Sequence, residues 1–254
     1  MNQGKNRLFG LEFDNLNLEE TLEKIDELVH SKKPHMIFTP NVALTVWARK
    51  NPFLKEVYDR CDLLLVDGMA IYYASQILGK PCKENVAAFR VFLKLLEEGP
   101  KKGYRFYFFG AKEEAVKKAV ENTRLKYPGI QIIGYRNGYF KQEEVPGIVQ
   151  EISNTKPDIL FVAMPTPQKE KFVAENLNKM GVPVSLGVGG SFDIVAGLCK
   201  QAPHWMTVLC LEWFYRLVQE PRRMWKRYLT TNLVFLRLFF VEFWKKYALL
   251  GRPL

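Results

Sequence analysis

YRFYFFG (residues 104–110), KEEAVKKAVENTRLKY (112–127) and IQIIGY (130–135) follow one another directly, and their reading decides the fold. The first and third runs are short, apolar and closed by glycine or a polar residue, as strands buried on both faces are. The second is a helical run that joins them. The same unit recurs on either side. Upstream lie LFGLEF (8–13), read as a first strand, and the helical LEETLEKIDELVH (18–30), for which Asn17 with Glu20 three residues on supplies the start signal. HMIFTP (35–40), the helix VALTVWARK (42–50) and the strand DLLLVD (62–67) follow. Downstream come DILFVAM (158–164), the helical TPQKEKFVAENLNKM (166–180) and PVSLGVGG (183–190). Apolar strands alternating with helices predict an α/β fold, a Rossmann-like, mostly parallel sheet with helices on both faces.

The composition changes after about residue 200. Four of the five tryptophans (Trp205, Trp213, Trp225, Trp244) fall there, and from Pro203 to Leu254 nine Lys/Arg stand against three Glu, a local charge of 9 − 3 = +6 within a net +10 for the 254 residues. The expected organisation is a catalytic α/β domain over residues 1–200 and a basic, aromatic helical appendage over 201–254. The apolar run from Leu233 to Trp244 is interrupted by Arg237 and Glu242 and falls short of the ~20 residues a spanning helix needs. The N-terminal residues lack the apolar core of a signal peptide. Cys61, Cys82, Cys199 and Cys210 show no C-x-x-C spacing, and the chain has three histidines. This pattern argues for reduced thiols and against a zinc site. No resident metal or cofactor is expected.

In an open parallel sheet, ligands gather beyond the carboxyl ends of the strands. Thr39-Pro40-Asn41, Asp67-Gly68, Gly110-Ala111-Lys112 and the turn from Gly187 to Asp193, including Gly189 and Gly190, occupy such ends. Glycines there let backbone N–H groups approach phosphate, or simply make a tight turn. The chain has neither G-x-G-x-x-G nor G-x-x-x-x-G-K-[ST]. Asp67 reads equally as a general base in the crevice or as the cap of the next helix. D-x-D, a common holder of a divalent metal on a sugar nucleotide, is absent from the chain. Basic side chains and backbone N–H groups are therefore expected to neutralise a leaving diphosphate. In the appendage, Arg222, Arg223, Lys226 and Arg227 share one helical face, flanked by Trp213 and Trp225, which suits an interfacial helix on an anionic membrane. A nucleic-acid partner is not expected, because no groove-reading motif accompanies the charge.

The run GVGGSFDIVAGLCKQAPHWMTVLCLEWFYRLVQEPRRMWKRY (187–228) resembles the signature of the WecG/TagA/CpsF glycosyltransferases, and FTPN, LLLVDGM, FFGAKEEAVKKAV and IIGYRNGYF match in order and spacing. The likeness implies transfer of N-acetylmannosamine, its uronic acid or a related hexose from a UDP-sugar to a polyprenyl-diphosphate-linked saccharide, peripherally at the cytoplasmic face of the membrane. It implies Asp67 as catalytic base, Thr39 and Asn41 as its active-site partners, and Gly110, Lys169, Gly187, Gly189, Gly190, Asp193, Arg216 and Arg223 around the donor. Self-association is a further implication. The chain departs from the family where E-R-V-x-G-x-D reads Glu84-Asn85-Val86-Ala87-Ala88-Phe89-Arg90 and S-P-K-Q-E reads Thr166-Pro167-Gln168-Lys169-Glu170. The alternative is a non-catalytic nucleotide-binding module docked on the membrane for polysaccharide assembly.

Overall fold

The computed structural model describes residues 4–219 and 221–250. It opens with β1 (Lys5–Leu8), β2 (Leu11–Asp14) and α1 (Leu18–His30). β3 (His35–Phe38), α2 (Val42–Lys50), α3 (Pro52–Arg60), β4 (Leu63–Leu64), α4 (Met69–Ile77) and α5 (Ala88–Lys102) follow. Then come β5 (Arg105–Gly110), α6 (Glu113–Lys126), β6 (Gln131–Arg136), α7 (Val145–Thr155), β7 (Ile159–Ala163), α8 (Gln168–Met180), β8 (Val184–Gly187) and α9 (Ser191–Val195). The chain closes with α10 (His204–Val208), α11 (Glu212–Gln219) and α12 (Pro221–Leu250).

Six strands form one sheet in the order β4-β3-β8-β7-β5-β6, and every pairing in it is parallel. Two apolar clusters cover its faces. One gathers side chains of α2, α3, α4, α7 and α8; the other gathers α1, α5, α6 and α9. The expected α/β architecture is therefore present, and the continuous apolar strands are buried on both sides for the reason their composition gave. Asn17 starts α1 with a reciprocal cap: its side chain accepts from Glu20 N–H at 2.8 Å and its own N–H donates to the Glu20 carboxylate at 2.9 Å. Such a cap contributes about 1 kcal/mol.

Two strand readings need correction. LFGLEF is a hairpin, with Leu8 paired to Leu11 and the turn made by Phe9 (φ 51°) and Gly10 (φ 86°). Two consecutive positive φ values define a tight primed turn, and Phe9 accepts one because its ring is wholly buried, 4.8 Å from the ring of Phe235. DLLLVD joins the ladder only over Leu63–Leu64. It is the edge strand, and its outer side is capped by the Asp14 carboxylate, which accepts Leu64 N–H at 2.8 Å. Beyond Leu65 the chain leaves the sheet, which sets Asp67 at the rim.

The C-terminal helices lie against this body. α12 packs along α2, and Phe235 belongs to the same apolar cluster as Leu8, Phe9 and Val46. Among the described residues no helix is long and apolar enough to cross a membrane.

Candidate active site

Topology fixes where a ligand crevice can open. β3 leads to α2 on one face, whereas its neighbour β8 leads to α9 on the other. The connections diverge and leave a gap above the β3/β8 pair, the switch point at which α/β sheets bind ligands. β5 and β7 diverge in the same way, into α6 and α8. The predicted candidates stand at these ends.

Thr39 closes β3 and is buried. Its hydroxyl donates to the Asp67 carboxylate at 3.4 Å. Asn41 caps α2, its side-chain oxygen accepting Leu44 N–H at 3.3 Å. That gives Thr39-Pro40-Asn41 a structural task as well as its place at the crevice. Asp67 does not cap the helix that follows it: the cap position is Gly68, which has no side-chain cap bond. The Asp67 carboxylate instead meets Thr39 and the Ala88 backbone N–H at the start of α5. Burial pushes its pKa up to about 7, the Glu212 carboxylate adds to the rise, and Arg216 opposes it. Desolvation is the chief cause, as it is for buried carboxyls generally.

Arg216 and Glu212 come from α11 and pair at 2.8 Å. Two residues of the C-terminal segment thus reach the electrostatic field of Asp67. Arg216 was expected near the donor; Glu212 was not, although its i, i+4 spacing to Arg216 is legible in the sequence. The Arg223, Lys226 and Arg227 side chains lie outside the described residues. Arg222 and Trp225 are exposed on α12, and Trp213 and Phe214 are exposed on α11.

The glycine turn after β8 is built by packing as much as by backbone freedom. A Cβ on Gly187 would stand 2.9 Å from the Phe38 ring and 3.1 Å from the Lys169 side chain. Gly189 has φ 54°, the left-handed conformation that glycine adopts without penalty. Ser191 ties the turn to itself, its hydroxyl donating to Val188 O at 2.6 Å. Phe192 anchors α9 to the sheet, stacked 4.9 Å from Phe108. Asp193 lies in the first turn of α9, where its backbone carbonyl accepts the N–H groups of Leu198 and Cys199. Gly110, at the second divergence, is required by space: a Cβ there would sit 2.3 Å from Ala163 O.

Lys169 is buried at the start of α8 and pairs with Glu170 and the Thr166 hydroxyl. Glu170 is fully buried and also accepts from Tyr58 at 2.9 Å and Thr166 at 3.0 Å. This network under the crevice escaped sequence reading, because nothing in a Lys-Glu dipeptide announces burial. Asn85 escaped too; its side-chain oxygen accepts Gly68 N–H at 2.7 Å and fixes the bend beside Asp67. Among the described residues no group of three or more His, Cys, Asp or Glu converges as a metal site would.

The family described as Glycosyl transferase WecG/TagA/CpsF family matches residues 6–249. A Bacillus subtilis protein named N-acetylglucosaminyldiphosphoundecaprenol N-acetyl-beta-D-mannosaminyltransferase is 33% identical over 224 residues, 88% of this chain and 86% of its own length. A Bacillus spizizenii protein of the same name is 33% identical over 198 residues, 78% and 76% of the two chains. A Staphylococcus aureus protein of that name is 27% identical over 228 residues, 89% and 87%. The chain belongs to the WecG/TagA/CpsF family of glycosyl transferases and is an enzyme rather than a non-catalytic nucleotide-binding module.

Proposed function

We propose that this enzyme moves N-acetylmannosamine or a related hexose from a UDP-sugar to a polyprenyl-diphosphate-linked saccharide, with inversion, at the cytoplasmic face of the cell membrane. The observation that carries the reading is Asp67, a carboxyl at the rim of the sheet whose burial sets its pKa near neutrality and whose neighbours are Thr39 and Arg216. Asp67 takes the proton of the acceptor hydroxyl. The hydroxyl oxygen bonds to C1 of the sugar as the bond from C1 to the diphosphate oxygen breaks, and UDP leaves with the electron pair. One displacement on an α-linked donor gives a β product, the configuration in the relatives' names.

Thr39 and Asn41 hold the acid–base end of the site. Arg216, Arg223 and the backbone N–H groups around Gly110, Gly187, Gly189 and Gly190 stabilise the departing diphosphate, with Asp193 at the nucleotide, and Lys169, paired with Glu170, supports the glycine turn from behind. No D-x-D supplies a metal, so these groups carry the charge. The appendage, residues 201–254, docks on anionic lipid through Trp213, Arg222, Trp225, Lys226 and Arg227. Support comes from the exposed apolar residues that gather there: Trp205, Leu209, Phe214, Leu233, Phe240 and Trp244 are all at least 46% exposed. Self-association of the chain, which the family resemblance implies, completes the proposal.

The test is UDP release and product formation from a panel of UDP-hexoses with an octyl-diphosphate-linked N-acetylglucosamine acceptor, run with and without EDTA. Transfer that persists in EDTA is the expected result. Failure with every donor overturns the assignment, and abolition by EDTA overturns the metal-free account of the diphosphate.

A further inference from the structure

We propose that the cavity lined by Asn85 and the start of α5 is the acceptor subsite, and that Arg90 in its wall recognises the phosphate next to the acceptor sugar. This inference rests on the transferase reading above and names the second half of the same site.

The cavity has a volume of about 520 Å³ and is walled by α4, the segment from Lys83 to Arg90, and residues 201–208. Its size lies within the ~300–1,000 Å³ of small-molecule sites. Its link to Asp67 runs through Asn85 and Gly68. The glycine turn ends β8, Thr39 follows β3, and Asp67 stands beyond β4 at the sheet's edge. The crevice opens above β3 and β8, inboard of the edge strand β4; this cavity is separate and takes no wall from any strand. Asn85 lines it while accepting Gly68 N–H at 2.7 Å, one residue from Asp67. A base that deprotonates one substrate beside the reacting carbon of another must stand between two such spaces.

The lining suits a phosphorylated saccharide. Tyr72 and Met69 offer apolar surface, and Asn85, Gln201 and Thr207 offer hydrogen-bonding groups for hydroxyls. Four lining residues can carry charge, and three of them, Lys83, Glu84 and Arg90, already have partners. Lys83 pairs with Glu20 at 2.5 Å, and Glu84 accepts Leu18 N–H at 2.8 Å as well as Arg90 at 2.7 Å. Arg90 is held from behind by Glu84 and by the Asn85 carbonyl at 2.9 Å. A guanidinium oriented in this way keeps N–H groups for the forked recognition of a phosphate that a lysine ammonium cannot reproduce. His204 belongs to the wall made by residues 201–208, at the start of α10. That wall is tied to α4 by the Tyr73 hydroxyl, which donates to Val208 O at 3.1 Å.

Arg90→Ala and Arg90→Lys in the full chain test the proposal. The Arg90 side chain is 46% exposed, so neither change strips the core. Calorimetry without donor measures binding of octyl-diphosphate-linked N-acetylglucosamine, of the uncharged octyl glycoside, and of UDP. Arg90→Ala is expected to weaken the phosphorylated acceptor by about tenfold, the scale of one charge-assisted contact. UDP and the uncharged glycoside keep their affinities, KM for the acceptor rises in step, and Arg90→Lys recovers part of the loss. An unchanged affinity for the phosphorylated acceptor, an equal loss of UDP, or no binding by the wild-type protein overturns the subsite. Arg90-dependent binding without any sugar transfer would leave the subsite standing and remove the transferase reading instead.

Discussion

Glu242 accepts the backbone N–H of Phe9 at 3.0 Å, joining the last helix to the first hairpin across 233 positions of sequence. The bond satisfies a donor that the positive φ of Phe9 turns away from the ladder. Glu242→Ala would leave that N–H without its acceptor and is expected to cost about 1–3 kcal/mol. Glu242→Gln, which retains an acceptor oxygen, should cost less. Urea unfolding of both variants checks this; equal, negligible losses would show that water replaces the carboxylate freely.

Asp67 should dominate the pH profile. As a base it works deprotonated, so kcat/KM should rise with pH and level off above about 7. Because the Glu212 carboxylate helps to raise that pKa, Glu212→Gln should move the acidic limb to lower pH. Asp67→Asn should lower turnover by roughly 10²–10⁴-fold while UDP affinity is kept. Initial rates from pH 5 to 9 with all three proteins decide it.

The same carboxyl carries a stability signature. Its folded pKa lies above the ordinary value of 3.8, so the folded state binds the proton more tightly and Asp67 costs stability as pH rises from about 4 to 7. Asp67→Asn is therefore expected to be more stable than wild type at pH 8, by at most a few kcal/mol, and to lose that advantage at pH 4. Thermal melts at the two pH values read the difference.

Lys169 and Glu170 form a buried pair, and removing one partner strands the other. Lys169→Met should cost about 3–5 kcal/mol, whereas Lys169→Met with Glu170→Met should restore much of it. Equal losses in the single and double variants would show that the hydroxyls of Tyr58 and Thr166, rather than the ion pair, govern this site.

Docking on lipid and chemistry should separate by point substitution. Truncation before Pro203 would also strip Phe235 from the core, so loss of activity would be ambiguous. Trp213→Ser with Phe214→Ser should reduce binding to anionic liposomes by about tenfold or more, a scale of ~1.4 kcal/mol. Arg216→Ala should leave liposome binding nearly unchanged while lowering turnover. If both variants bind liposomes as wild type does, the exposed aromatics of α11 are not the docking surface.

Sequence alone determined the layered architecture, because an apolar run such as FYFF at 106–109 can be satisfied only inside a sheet covered on both faces. It also determined the start of α1, since a cap such as Asn17 with Glu20 involves neighbours three residues apart. It placed Thr39, Asp67 and the glycine turn at strand ends, which is a statement about chain order. It could not order the strands or say whether Asp67 caps the helix that follows it. Those answers depend on Thr39, Ala88 and Glu212, brought within reach only when β4 lies beside β3 and α11 folds back. The hairpin at Phe9 and the burial of Glu170 were decided in the same way, by Phe235 and Glu242 in one case and by Tyr58 and Lys169 in the other. Local pattern is set by covalent spacing, whereas desolvation and charge pairing arise from residues that only the folded chain makes neighbours.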